Sequence, residues 1–277
     1  MNKERRSIER LKDIIDNANY KDKEYVIMEN DINLLTQKAE QGDKYAQFNL
    51  GLAYHNGNGV KQNHKESLNW YSKAADSDNL KLKSSAQYNI GSLYYYGLGV
   101  IQSYLEAIKW YSLSANNEHS VAQTTLGHMY FEGLGVPKNS IKASKLFISA
   151  AHQGNADAQA TLGAMFDKGE GVPQNTKKAI EWSKLAAEQG HVVSQFNIGS
   201  LYQETGNFRE AVRFYSLAAE KGSVSAQYNL GCLYKNGAKD VPYDWQKASM
   251  LFKLASKQGH QGAKFQLLLI GEDETHL

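Results

Sequence analysis

Apolar side chains recur three and four positions apart in short blocks along this chain, and polar runs carrying paired glycines separate the blocks. Ala86, Ile90, Leu93 and Tyr94 make one such block, and at helical periodicity they share a single face. A second block, Ala107 with Trp110 and Tyr111, follows the polar run. The pattern predicts two helices joined by a short loop, and it returns. A phrase of Ala-Gln, an apolar residue, Gly and then an aromatic starts at Ala46, Ala86, Ala122, Ala158, Ser194 (with Ser for Ala) and Ala226. Those starts lie 40, 36, 36, 36 and 32 residues apart. A near-constant period of this size marks a solenoid of stacked helical units.

Each unit can be read position by position. Gly51, Gly91, Gly127, Gly163, Gly199 and Gly231 fall inside the first helix, where glycine costs about 1 kcal/mol relative to alanine. A recurring glycine there predicts close approach of the partner helix. The pair Gly97/Gly99 ends the helix, and Gly57/Gly59, Gly133/Gly135 and Gly169/Gly171 repeat it. These loops are not phosphate loops, because the third glycine of that motif is missing and no strand precedes them. Asn63, Ser103, Asn139, Asn175, Asn207 and Asp244 read as N-caps of the second helix, with Glu66, Glu106 and Glu210 completing capping boxes. Four residues after each cap stands a small residue: Ser67, Ala107, Ala143, Ala179, Ala211 or Ala248. An aromatic stripe follows, through Trp70/Tyr71, Trp110/Tyr111, Phe147, Trp182, Phe214/Tyr215 and Phe252. Small against large at helical spacing interlocks two antiparallel helices. Most units close on a glycine such as Gly154 or Gly190, and Asn116-Asn117 is expected to fill that role in the second unit.

These residues resemble the SEL-one-like repeat family (SLR), a relative of tetratricopeptide repeats. Six full units span residues 45–262, with half-units at Leu34–Gly42 and Ala263–Ile270. The resemblance implies an all-α, right-handed superhelix of antiparallel hairpins that serves as a non-enzymatic scaffold or adaptor. Two alternatives stay open beside it: a secreted bacterial effector using the same face, and, less favoured, a cell-wall or β-lactam hydrolase. Two departures stand out. The fifth unit lacks the Gly-x-Gly-Val loop, and the first carries extra residues at Asp78–Ser84, expected in a loop or a lengthened second helix. Some secreted members pair two cysteines in each repeat, whereas this chain has Cys232 alone. The resulting division is a capping helix and connector at 1–29, the solenoid at 30–271 and a tail at 272–277. Ile8, Leu11, Ile14 and Ile15 form the apolar stripe of that capping helix.

Composition narrows the field. The 31 basic residues nearly balance 29 acidic ones, and no run of like charge occurs, so nothing points to nucleic acid. No apolar stretch approaches the roughly 20 residues that cross a bilayer. The first residues, MNKERRSIERLKDIID, lack a signal-peptide apolar core, which gives the expectation of a cytoplasmic protein with export as an effector not excluded. HExxH and G-x-S-x-G are absent. His152, His191 and His260 sit near repeat junctions, which fits architecture rather than a metal site. Catalytic residues, metal ligands and cofactors are therefore expected to be none, and Cys232 is expected to be a small apolar filler.

What remains is a surface for a protein or peptide. In such a superhelix the first helices line the concave wall, and the positions between the core residues face the groove. In the first three units these are Phe48, Leu52 and His55, then Tyr88, Ser92, Tyr95 and Tyr96, then Thr124, His128 and Phe131. The last three add Asp167, beside Ala160 and Ala164, then Phe196, Ser200 and Gln203, then Tyr228, Cys232 and Lys235. Aromatic residues anchor buried contacts best. Asn49, Asn89, Asn197 and Asn229, one position after the first of these, are read as hydrogen-bonding to the backbone of the neighbouring hairpin, with contacts to a ligand backbone as the alternative.

Overall fold

The computed structural model describes residues 32–269; the expected capping helix and the tail lie outside them. Among the described residues there are fourteen α-helices: α1 (Ile32–Glu40), α2 (Lys44–Asn56), α3 (His64–Ala74), α4 (Leu80–Tyr96), α5 (Tyr104–Asn116), α6 (Ser120–Glu132) and α7 (Ser140–His152). They continue as α8 (Ala156–Lys168), α9 (Thr176–Glu188), α10 (Val192–Glu204), α11 (Phe208–Glu220), α12 (Val224–Asn236), α13 (Trp245–Lys257) and α14 (Gln261–Leu269). The fold is an all-α helical solenoid, with even-numbered helices up to α12 as the first and the following odd-numbered helices as the second members of six hairpins. Both half-units form helices, α1 and α14.

Two compact units share the helices. One runs to Ala158 and takes in Glu170–Val172; the other holds Gln159–Gly169 and continues from Pro173. The core of the first unit includes Tyr88, Tyr111, Leu126 and Met129, all buried. The second has its own core, with Tyr215, Ala218, Leu230 and Leu251. Burial of each large side chain stabilises the fold by about 1.5–3 kcal/mol.

The interior glycines have the role their cost demanded. A Cβ on Gly91 would stand 2.7 Å from Tyr111 Cδ1, and one on Gly199 2.7 Å from Tyr215 Cδ1. Tyr71, Phe147 and Phe252 press in the same way on Gly51, Gly127 and Gly231. The fourth hairpin differs from the expected aromatic stripe: Ser183, not Trp182, meets Gly163. The small residues expected one turn earlier, Ser67, Ala107, Ala143, Ala179, Ala211 and Ala248, are fully buried.

All six expected second-helix caps form. Asn63 Oδ1 accepts from the amides of Lys65 and Glu66, and Asp244 Oδ1 accepts from that of Lys247. Of the expected capping-box partners, Glu106 and Glu210 turn their carboxylates to Lys109 and Arg213. Of the extra residues of the first unit, Asp78 and Asn79 lie in the expected loop, while residues 80–84 are helical but do not belong to the second helix. Asn79 caps through the amide of Leu82, so residues 80–84 lengthen the first helix of the next hairpin, α4, to 17 residues. The left-handed residue closing the second unit is Glu118 (φ 61°) rather than an asparagine, because Asn117 remains at φ −90° as the C-cap of α5.

Candidate functional site

Two recurring side-chain devices fix where the first helices stand. The glutamine of the Ala-Gln phrase reaches back eight residues to the second helix before it. Gln47, Gln123, Gln195 and Gln227 donate Nε2 to the carbonyls of Ala39, Ala115, Ala187 and Ala219 at 3.0–3.2 Å. Each bond is a second one on a last-turn carbonyl that already accepts a backbone amide of the closing turn, from Gly42, Glu118, Gly190 and Gly222 in order. Two of these glutamines also accept from the end of their own hairpin: Gln153 Nε2 bonds Gln123 Oε1 at 2.8 Å, and Gln258 Nε2 bonds Gln227 Oε1 at 2.9 Å. The phrase had made the glutamine visible, but not its role.

The second device is a histidine N-cap. The Nδ1 atoms of His119, His191 and His260 accept the amides of Ala122, Ser194 and Ala263, each at 3.1 Å. An accepting Nδ1 requires the unprotonated ring. Burial holds His119 down to about pKa 4, which keeps it in that form. Its ring stacks on Tyr88, and that of His260 stacks on Tyr228, with centroids 5.0 and 4.3 Å apart.

The stacking decides what the expected groove residues do in the first unit. Phe48, Tyr88 and Thr124 are 0% exposed, Tyr95 1%, Ser92 2% and His128 4%. Expected to face a ligand, these six instead close the interior. Phe48 packs on Tyr71 (5.6 Å between centroids), Tyr88 on Tyr111 (5.4 Å) and His128 on Phe147 (4.8 Å). Tyr95 lies against Tyr96 and Tyr104, and burial, then the Tyr104 phenol, pushes its hydroxyl well up. Ser92 Oγ accepts from Tyr111 Oη, and Thr124 Oγ1 donates to the Ser120 carbonyl. Leu52, His55, Tyr96 and Phe131 stay half-buried in this unit. His55 faces His64, while Lys138 lies over the Phe131 ring.

In the second unit the same positions are more open. Phe196, Ser200, Gln203, Tyr228, Cys232 and Lys235 are all half-buried, as is Asp167. Tyr215 Oη, on α11, ties the two neighbouring first helices together. It donates to Gln203 Oε1 (3.0 Å), pairs with Ser200 Oγ (3.0 Å) and accepts from Asn229 Nδ2 (3.3 Å). Asn229 thus does bond the preceding hairpin, though through a side chain rather than the backbone. Lys235 Nζ reaches Gln266 on α14.

Known proteins give this geometry its context. The Sel1 repeat profile matches residues 44–79, 84–119, 120–155, 156–191, 192–223 and 224–260, most of the chain. The chain belongs to the Sel1 repeat family. A Sel1 repeat protein from Oxalobacter formigenes is similar at 29% identity and a TM-score of 0.63, over 80% of this chain and 88% of that one. The protective antigen c5321 of uropathogenic Escherichia coli strains, described as displaying an SLR fold, is 27% identical with a TM-score of 0.51. That match covers 95% of this chain and 67% of the antigen. No curated protein matches the chain significantly. Sel1 repeats commonly serve as protein–protein interaction modules.

Burial raises the Cys232 thiol above its ordinary value, against opposing contributions from Tyr228 and Lys235, so the sulfur is the weakly nucleophilic thiol at neutral pH. Burial and the Cys232 sulfur likewise raise Tyr228. Among the described residues no helix is long and apolar enough to cross a membrane.

Proposed function

We propose that this Sel1 repeat protein is a non-enzymatic scaffold that holds a protein or peptide segment against the first helices of its second unit. One observation carries the reading. Two neighbouring first helices, α10 and α12, present half-open aromatic rings (Phe196, Tyr228) beside carboxamides (Gln203, Asn229), with Tyr215 Oη holding the polar groups in register. Aromatic bodies supply area on contact, while carboxamides match the donor and acceptor of an extended backbone. Lys235, and Asp167 on α8, add one charge of each sign. In the first unit Phe48, Tyr88, Ser92, Tyr95, Thr124 and His128 are already spent on internal packing, so these six are not assigned to the ligand.

The test is a random-peptide display selection on the full chain, followed by rebinding to Phe196→Ala/Lys235→Ala. Enriched peptides should bind this variant at least about tenfold more weakly, roughly 1.4 kcal/mol. Tyr243→Ala, in the exposed stretch before α13, should bind as the parent does, and circular dichroism should show intact helices in both. Undiminished binding to the double variant, or a selection that enriches nothing, overturns the proposal.

A further inference from the structure

Helix α14 repeats the phrase of the other first helices with one change at its centre. Its register is fixed by the caps: His260 accepts the amide of Ala263 as His119 does that of Ala122 and Ser223 that of Ala226. Five residues on, where the six hairpins carry Gly51, Gly91, Gly127, Gly163, Gly199 and Gly231, α14 carries Leu268. In the hairpins that glycine lets the second helix come very close. A Cβ there would stand 2.6–2.9 Å from an aromatic ring in five of them, and against Ser183 in the fourth. Leu268 forbids a partner helix at that approach. No helix follows α14 among the described residues, and residues 270–277 contain no Phe, Tyr or Trp to play the part of its ring.

The outer side of α14 is nonetheless apolar. Ala263 and Leu267 are buried with Phe252 and Ala255 of α13, whereas Phe265, Leu268 and Leu269 are 59%, 62% and 61% exposed. At spacings of three and four residues these three side chains adjoin on the helix surface. The outermost element of a repeat array ordinarily turns a polar face to water, and α14 does the reverse.

We infer that α14 is the docking surface for a second copy of this chain, in a two-fold contact that sets Phe265, Leu268 and Leu269 against the same residues of the other copy. A two-fold interface uses one patch on both copies, so the patch has to be compatible with itself. This one is, because Lys264 is the one charged residue of the helix and the three exposed side chains are all apolar. A lipid surface is a poorer match, since interfacial helices set several lysines or arginines beside their apolar side. The three side chains offer on the order of 300 Å² per copy, short of the roughly 800 Å² per partner of a stable complex. The dimer is therefore reversible and concentration-dependent.

Sedimentation velocity of the full chain from about 5 to about 500 μM spans the affinities such a contact gives. The mass should rise with concentration from 30.9 kDa toward twice that value. Leu268→Glu and Phe265→Glu should each raise the dimer Kd at least about tenfold. Both positions are exposed, so circular dichroism should show intact helices. Phe196→Ala, on the peptide face, should leave the association as it is, so the two contacts are separable. In the unsubstituted chain the methyl resonances of Leu268 and Leu269 should shift with concentration, a readout that needs no variant. A chain that stays monomeric throughout overturns the proposal, as does a dimer that Leu268→Glu leaves intact. Leu268 methyls in contact with residues 1–31 or 270–277 of the same monomer would give the face to the chain itself and overturn it too.

Discussion

The two compact units use the same helical phrase to opposite ends. In the first, the position three residues before the interior glycine holds Phe48, Tyr88 and Thr124, all sealed inside. In the second it holds Ala160, Phe196 and Tyr228, all half-open. The same pairings recur on both sides: Tyr88 stacks on the cap His119 as Tyr228 does on His260. What differs is how much of each ring its neighbours cover. A repeat can thus keep one set of contacts and still serve as core in one place and as contact surface in another.

The comparison is most sharply tested by truncating equivalent rings. Tyr88→Ala should destabilise the chain by about 3–5 kcal/mol, the ordinary cost of removing a buried aromatic side chain. Tyr228→Ala, which leaves a half-open site, should cost about 1–2 kcal/mol. Urea denaturation measures both, and equal losses would break the distinction. Acid should act next most strongly, on the first unit. His119 is held near pKa 4 when folded, against its ordinary value of 6.5 when unfolded, so the unfolded chain binds the extra proton between those values. Its contribution, about 3 kcal/mol, is complete above pH 6.5 and is lost as pH falls toward 4. His119→Asn keeps a capping oxygen without a titrating ring, so amide exchange in α6 should lose its extra acid sensitivity. Identical acid profiles for parent and variant would remove His119 from the account. The smallest effect concerns Glu118, the non-glycine residue held at φ 61°. Glu118→Gly should stabilise by about 0.5–1 kcal/mol, and Gly222→Glu at the matching place in the second unit (φ 86°) should cost about as much. Thermal melts showing no change in either direction would mean that the two sites are not equivalent.

Much of this architecture was legible in the residues because it is local. The interior glycine and its aromatic partner are 20 residues apart in the first three hairpins, as in Gly91 and Tyr111, so spacing alone brought the two helices together. The caps were equally plain, since Asn63 or Asp244 acts on amides two and three residues on. Site residues were harder. Placing Tyr88 on the groove required knowing whether a neighbouring hairpin covers it, and the cover comes from His119, 31 residues away, whose own task as a cap has no motif. The same applies to His55 and His64, brought together by the loop between them. Substitutions within a repeat also misled: Trp182 looked like the ring of its hairpin, but Ser183 occupies the glycine-facing position.

One consequence of the glutamine bonds extends beyond any single hairpin. Gln123 and Gln227 each hand Nε2 backward and accept on Oε1 from their own hairpin, so the junction between hairpins is a standard coupling with the same two connectors where it is complete. The fifth junction shows what an imperfect copy does. Lys221 stands where Gln153, Gln189 and Gln258 stand elsewhere; it bonds the Gly190 carbonyl, and Gln195 Oε1 is left without a partner. An array joined by interchangeable couplings can be lengthened or shortened by whole hairpins without redesigning its seams, whereas adding part of a hairpin would leave connectors facing the wrong way. Duplication of a complete unit is therefore the change in length that this molecule is built to absorb.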